Sequence, residues 1–452
     1  MLFFAVLLVQ IALLPPAISV LSRQRLGLYT CFYGVFCVLI VIPFYLIFAE
    51  VQGVIHLQEI VGKSADAKVT LDVGNGFRPL MWVCIAQACY LAGGYFVMNT
   101  STPALTAPRL EPNSMMYLGV GLAIFGICYT FIRFWLVPDF PLFVLLTTGS
   151  TESLRDLSFE YATRKDVPYI FLPSINANVR RILLPVAAFL LGRSATHSDN
   201  KFVKILYRVT LILAITVIVG QFKRAPLCYI VLWCVLQRHA FADIKRLGRI
   251  MVVSAVLIII MIGITGTYQQ GDEFDLMKAV LSLFWRLFVG EAIGEFLALE
   301  HHGITYDYRG LEIFQTYFQK VIGEDIMTFS EYWKAEVGGK RGYMAVGVIT
   351  EIFISAGPMA AIVLWMLTGM SLVGIDRLLM RYNSDDHRPF IAGLIVVFAF
   401  SSVKGGLSQF FTGGGLVLLT LYFGTVFLCR QIAPPRMPIR SNAMPRRVAR
   451  RT

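Results

Sequence analysis

Several cations in this sequence lie inside or beside long apolar stretches, where a charge is costly and is usually retained for function. Arginine carries a forked set of donors that matches phosphate oxygens, and lysine carries a point charge. Cations that converge at one end of a helical bundle would suit a diphosphate group. The alternative is that they are snorkelling anchors that set the depth of a helix. The candidates for this binding role are Arg224, Lys223, Arg286, Arg341, Lys340, Arg180 and Arg181.

Three further residues are candidates for removing a proton from an attacking hydroxyl. His302 is favoured because a histidine titrates near the working pH. Glu295 belongs to the same acidic and histidine-containing stretch, and Glu351 precedes an Ala-Gly-Pro sequence. The alternatives are a solvated turn for His302 and Glu295, and a structural ion pair with Arg341 for Glu351.

The sequence does not predict a metal or a cofactor. Converging cations can stabilise a pyrophosphate leaving group as charge develops on it, without a metal ion. The external segments defined below contain no Asp-x-Asp pair and no His or Cys ligand spacing. The eight cysteines lie in or at the edge of apolar segments, which favours buried, inert thiols.

The composition predicts an all-α polytopic membrane protein. Of the 452 residues, 57% are apolar and only 15% are charged, with a mean hydropathy of +0.68. A spanning helix needs roughly 20 apolar residues, so about eleven of them would use most of the apolar residues and leave few for a large soluble core. The composition therefore excludes a soluble domain. About eleven spans are expected, near 1–21, 27–49, 78–98, 116–136, 171–192, 205–222, 225–237, 250–267, 356–375, 389–411 and 413–429.

The distribution of charge predicts the orientation. About half of the 40 basic residues fall in alternate connections and in the tail, and these carry few acids. By the positive-inside rule these connections are cytoplasmic, so the N-terminus lies outside and the net charge of +12 does not imply a nucleic-acid partner. We expect one transmembrane domain, 1–429, and a basic cytoplasmic tail, 430–452. The expected external loops are 50–77, 137–170 and 268–342.

The longest external segment, 268–342, has helical spacing of its own. Lys278 to Leu299 and Leu311 to Ile322 are predicted to form amphipathic helices on the membrane. After this segment, Tyr343 to Ser355 is predicted as a shallow helix that breaks at Gly357, with Pro358 favouring a restart.

Three diffuse signatures resemble the O-antigen and exopolysaccharide repeat-unit polymerases, a family of bacterial inner-membrane glycosyltransferases. QFKRAPL (221–227) resembles the family's arginine-containing turn between two short spans. GSTESLRDLSFEYATR (149–164) resembles its external segment before the next span, and GKRGYMAVGVITEIFISAGPMAAIV (339–363) resembles its segment that ends in a Gly-containing turn. The resemblance covers most of the chain from about 140 to 430.

The resemblance implies a C-type glycosyltransferase-like fold that acts on undecaprenyl-pyrophosphate-linked oligosaccharides at the periplasmic face. A growing chain would pass from one lipid pyrophosphate to a sugar hydroxyl of another lipid-linked repeat unit, without a metal. Arg224 matches the arginine of the family's turn, and Arg286 and Arg341 match its basic positions. Membrane lipid and a chain-length regulator protein are the further partners that it implies.

Three alternatives remain open. An O-antigen ligase shares the architecture and the chemistry but donates to the lipid A core, and a histidine in a more defined loop would be expected of it. A lipid-linked oligosaccharide flippase is a transporter without chemistry, and would not need the long segment 268–342. A polysaccharide-assembly scaffold is the third, and no feature of the sequence favours it.

Overall fold

The protein is helical throughout the part of the chain that the computed structural model describes. No β-strand occurs in that part, which confirms the predicted all-α class there. The described residues are 2–22, 25–54, 76–98, 112–149, 154–164, 166–197, 199–221, 230–236, 292–301, 347–381, 387–410 and 414–432, with the single residues 256, 260, 315 and 319.

The helices are numbered here in chain order. They are α1 (Leu2–Ser22), α2 (Leu28–Phe36), α3 (Ile42–Val51), α4 (Phe77–Met98), α5 (Pro112–Leu136), α6 (Pro141–Thr148), α7 (Leu154–Thr163), α8 (Pro173–Asn178), α9 (Leu184–His197), α10 (Lys201–Val219), α11 (Ile293–His301), α12 (Val348–Arg381), α13 (Arg388–Phe410) and α14 (Leu416–Ile432). One π-helical turn, Cys37–Val41, joins α2 to α3, and another, Val179–Leu183, joins α8 to α9.

Six helical segments among the described residues are long and apolar enough to cross a membrane, as expected of a helical membrane protein. Three shorter apolar helices accompany them, at Leu8–Leu21, Arg388–Val403 and Leu416–Phe427. The count of eleven spans stays a prediction, because about half of the window 225–237 and nearly all of the window 250–267 lie outside the described residues. The six candidate spans are Leu28–Val51, Phe77–Met98, Met115–Leu136, Ile175–Thr196, Lys201–Val219 and Val348–Arg381.

Helices α4 and α12 run side by side in the same direction and define the two ends of the bundle. Near their starts, the rings of Trp82 and Phe353 lie 4.8 Å apart. Near their other ends, Arg377 donates a hydrogen bond of 2.7 Å to the carbonyl of Met98. We refer to these as the Val348 end and the Arg381 end of the bundle.

Helix α2 begins at the Arg381 end. The carboxylate of Asp376 accepts hydrogen bonds from the backbone amides of Leu28 (2.6 Å) and Tyr29 (2.8 Å) and so caps the start of α2 from another helix. Stacking of the Tyr29 and Tyr90 rings, 4.7 Å apart, packs α2 on α4. The chain therefore rises to the Val348 end through α3 and returns through α4.

Helix α12 begins before the expected span of 356–375. It starts at Val348, and its backbone leaves helical geometry at Gly357 (φ 80°, ψ 167°), immediately before Pro358. The predicted break is confirmed. Of the shallow helix expected over Tyr343 to Ser355, the part that the structure describes is the first part of α12, which begins at Val348; residues 343–346 lie outside the described residues.

The two amphipathic helices predicted in the segment 268–342 are described only in part. The first is represented by α11, which continues to His301 instead of ending at Leu299. The second, Leu311 to Ile322, lies outside the described residues except at positions 315 and 319.

Candidate functional site

Arg133, near the end of α5, is buried at the Val348 end and holds the segment that follows α5. Its exposed fraction is 1%. Nη1 donates to the carbonyl of Phe171 (2.9 Å) and Nη2 to the carbonyl of Tyr161 (3.2 Å), while the guanidinium carbon lies 5.3 Å from the centre of the Tyr161 ring. These contacts place a fixed positive charge inside the protein.

Arg180 is buried near Arg133, and two of its own guanidinium nitrogens have no hydrogen-bond partner among the described residues. The π-helical turn Val179–Leu183 carries it, and 3% of the residue is exposed. Nε and Nη1 have no partner among the described residues. Its electrostatic neighbours are the cations Arg181 and Arg133 and the phenols of two tyrosines, and no carboxylate is among them. Arg180 is therefore buried in the protein and is not a snorkelling anchor.

Contacts of the flanking turns show that Arg180 and Arg181 lie at the Val348 end. A methyl group added to Gly414, just before α14, would lie 2.9 Å from Oδ1 of Asn178 and 2.8 Å from Cγ1 of Ile182. Gly414 follows the end of α13, which runs toward the start of α12. Arg181 is half-buried. We call Arg133, Arg180 and Arg181 the arginine cluster.

Helix α7 connects the arginine cluster to the start of the predicted QFKR tip. Tyr161 of α7 faces Arg133, and one turn earlier Ser158 donates a hydrogen bond of 2.6 Å to the carbonyl of Gln221. The side-chain amide of Gln221 is buried without a hydrogen-bond partner among the described residues. In sequence, Gln221 precedes Lys223 by two positions.

Glu295 on α11 is buried against the start of α12. Its exposed fraction is 1%. Oε2 accepts a hydrogen bond of 3.0 Å from the hydroxyl of Thr350, and the backbone N–H of Gly347 also donates to this carboxylate. Burial raises the pKa of Glu295 from 4.5 to about 8, and the two donors oppose this rise.

Glu351 lies in the first turn of α12 and is 3% exposed. Its carboxylate packs against Gly406, where α13 leaves helical geometry at φ 75° and ψ 178°. A residue with a side chain rarely adopts this backbone conformation, so the sequence needs glycine at this unwound turn. Irregular backbone of this kind is tolerated at membrane depth where it is buried in protein or lines a cavity.

The structure thus brings two predicted groups to one end of the bundle. The basic pair lies in the arginine cluster, and Glu295 and Glu351 lie at the junction of α11, α12 and α13. The other predicted site residues lie outside the described residues, namely His302, Arg224, Lys223, Arg286, Arg341 and Lys340. No group of three His, Cys, Asp or Glu side chains that could hold a metal ion occurs within the described ranges.

Sequence reasoning did not identify Arg133, Thr350 or Gly347. Arg133 stands as the single charge in the apolar stretch from Met115 to Leu136, and that isolated charge was a signal. Thr350 and Gly347 gave no signal, because their roles depend on contact with α11.

The arrangement can bind an anion and can stabilise negative charge that develops on it. Buried guanidinium groups act in a medium of low dielectric constant, where each is worth more than in water. No protein-family model, curated protein or solved structure matches this chain.

Proposed function

We propose that the protein is an oligosaccharide repeat-unit polymerase, a metal-independent glycosyltransferase that uses a lipid-pyrophosphate donor. The observation that supports this proposal best is Arg180, a buried guanidinium with two nitrogens that have no hydrogen-bond partner among the described residues. An uncompensated buried charge costs several kcal/mol, and nearby cations add repulsion. A bound diphosphate would supply both the missing charge and the missing acceptors.

The proposed reaction transfers the growing chain. The hydroxyl oxygen of the acceptor sugar attacks the anomeric carbon of the donor, and a new C–O bond forms as the bond to the pyrophosphate oxygen breaks. The arginine cluster stabilises the departing lipid pyrophosphate, together with Lys223, Arg224, Arg286, Lys340 and Arg341. The hydroxyl proton passes to His302 or to Glu351.

The proposed location is the bacterial inner membrane, with the Val348 end facing the periplasm. The N-terminus is then periplasmic and the C-terminus cytoplasmic, as the positive-inside rule favours. Undecaprenyl-pyrophosphate-linked oligosaccharide is the proposed substrate, in contact with membrane lipid, and a chain-length regulator is a proposed partner.

The polysaccharide ladder of a strain that lacks the gene tests the function. Loss of the ladder with survival of a core-plus-one-repeat band is the expected result. Loss of every repeat band with accumulation of lipid-linked polymer would identify a ligase. Single lipid-linked repeats accumulating on the cytoplasmic side would identify a flippase, and an unchanged ladder would refute all three.

An Arg180→Ala variant tests the proposed role of Arg180 in binding the pyrophosphate. We expect only short chains at unchanged protein level in the membrane, because the pyrophosphate loses a donor. Arg208→Ala is the matched control, since Arg208 is exposed on α10. Wild-type chain lengths in Arg180→Ala would remove Arg180 from the mechanism.

A further inference from the structure

We propose that Glu295 is a positioning residue, which joins α11 of the long external segment to the start of α12 and thereby holds Glu351 against the unwound turn of α13. We call Glu295, Thr350 and Gly347 the Glu295 joint. The contribution of this joint to chain growth rests on the proposed function, whereas the joint itself does not.

The first step of the argument is the convergence of three helices at the joint. Glu295 comes from α11 and receives hydrogen bonds from Thr350 and Gly347 at the start of α12. A methyl group on Gly347 would lie 2.7 Å from Oε1 of Glu295 and would collide with the carbonyl of Val403 on α13. Gly347 therefore allows a close approach that no other residue type permits.

The second step connects the joint to Glu351. The backbone amide of Glu351 donates to the carbonyl of Gly347 (2.8 Å), which closes the first turn of α12. Thr350 is the preceding residue, so the hydrogen bond from its side chain to Glu295 fixes the orientation of this turn. The carboxylate of Glu351 then lies against Gly406. Loss of the joint would release the turn that carries Glu351.

The third step is the burial of Glu295, which argues for a positioning role and against a role as a proton acceptor that contacts the substrate. On α11 the neighbouring Phe296 packs on Phe44, with ring centroids 5.1 Å apart, so this helix is covered by α3. The free N–H groups at the start of a helix favour an acceptor such as a carboxylate oxygen. A carboxyl group that is buried and accepts hydrogen bonds from two donors fixes a backbone rather than reaching a substrate.

Charged groups on the elements packed against α11 complete the surroundings of the joint. Arg78 at the start of α4 donates to the carbonyl of Glu300 (3.0 Å). Glu50 lies near the end of α3, and Glu351 is on α12. The pKa of Glu295 is set by desolvation and by its two hydrogen-bond donors, and no charged group among the described residues contributes to the shift.

Hydrogen exchange of the full-length protein in nanodiscs tests the joint without any assay of activity. Thr350→Val removes one of the two hydrogen bonds to Glu295 and should lower the protection of the amides from Gly347 to Glu351 about tenfold, the equivalent of about 1.4 kcal/mol. Glu295→Ala removes both and should lower the protection at least as much. Glu295→Gln should lose less protection at pH 7 than Glu295→Ala, because its amide oxygen can still accept the hydrogen bond from Thr350. Unchanged protection in Glu295→Ala would overturn the proposal.

Chain growth by the same variants separates positioning from proton transfer. We expect long chains with Glu295→Gln and shortened chains with Glu295→Ala and Thr350→Val. Glu160→Gln, at an exposed position on α7, is the control and should match the wild-type protein. If Glu295→Gln abolished chain growth while it kept amide protection, Glu295 would be a proton acceptor and the positioning role would be wrong. If the gene deletion left the ladder unchanged, the proposed function would fail while the exchange result still decided on the joint.

Discussion

Replacement of Glu295 by glutamine should make the stability of the protein less dependent on pH. Burial raises the pKa of Glu295 from 4.5 to about 8 in the folded protein. The folded state therefore holds the proton more tightly than the unfolded chain, and the wild-type protein loses stability as the pH rises from about 4.5 to about 8. Glutamine cannot ionise, so Glu295→Gln lacks this loss.

The size of the effect follows from the pKa. One pKa unit corresponds to about 1.4 kcal/mol, so a rise of this size gives an upper limit of roughly 5 kcal/mol at pH 8 and above. Relaxation of the protein around the charge makes the actual effect smaller than this limit. We expect the free energy of unfolding of Glu295→Gln to be about 2 to 4 kcal/mol higher than that of the wild-type protein at pH 8. Near pH 4.5 the two should be equal within about 0.5 kcal/mol, because the carboxyl is then protonated in the folded state and half protonated in the unfolded chain.

The assay is the apparent Tm of the purified protein in detergent, measured from pH 5 to pH 9 at a fixed heating rate. The difference between Glu295→Gln and the wild-type protein should grow with pH up to about 8 and then level off. Glu160→Gln, which removes an exposed carboxylate from α7, should show no such growth. Parallel pH profiles of Glu295→Gln and the wild-type protein would refute the buried, protonated state of Glu295.

Three further substitutions give expected outcomes. Gly406→Ala should lower the free energy of unfolding by about 2 to 4 kcal/mol, because the alanine would adopt an unfavourable positive φ and would clash with the buried carboxylate of Glu351. The control Gly121→Ala, whose added methyl group meets no neighbour, should be neutral or stabilising in the same thermal assay. Arg133→Ala should cost about 2 to 4 kcal/mol through the loss of two buried hydrogen bonds and should speed proteolysis within 137–170; unchanged cleavage would contradict its holding role. Arg224→Ala should abolish long chains at an unchanged protein level in the membrane, and wild-type chain lengths would exclude it from the mechanism.

The helical, membrane-spanning character of the chain could be predicted because apolar length is a local property. An apolar run of spanning length, such as Phe77–Met98, has to satisfy its backbone groups within itself in lipid, and a helix does so. The break at Gly357 was equally local, since Pro358 removes a backbone donor. The helix ahead of this break was also predicted, and in the structure it is the first part of α12, from Val348.

The candidate site was predicted only in part. An arginine pair in an apolar stretch is a visible anomaly, so Arg180 and Arg181 could be named as candidates from the sequence. The π-helical turn that presents them leaves no periodic signal, because one extra residue shifts the pattern only locally. The role of Arg133 depends on carbonyls of Tyr161 and Phe171, which come from a later segment and could not be placed from the sequence.

The sequence alone determined that the chain is helical and embedded in a membrane, and which cations and carboxylates are unusual in it, because hydropathy and the cost of a buried charge depend on residue type. Tertiary structure alone decided which of these residues meet. It placed Arg180 near Arg181 and Arg133, with no carboxylate among its electrostatic neighbours in the described residues, and it placed Glu295 beside the first turn of α12. The physical reason is that a charged side chain acts through its neighbours, and the packing of helices distant in sequence decides which neighbours it has.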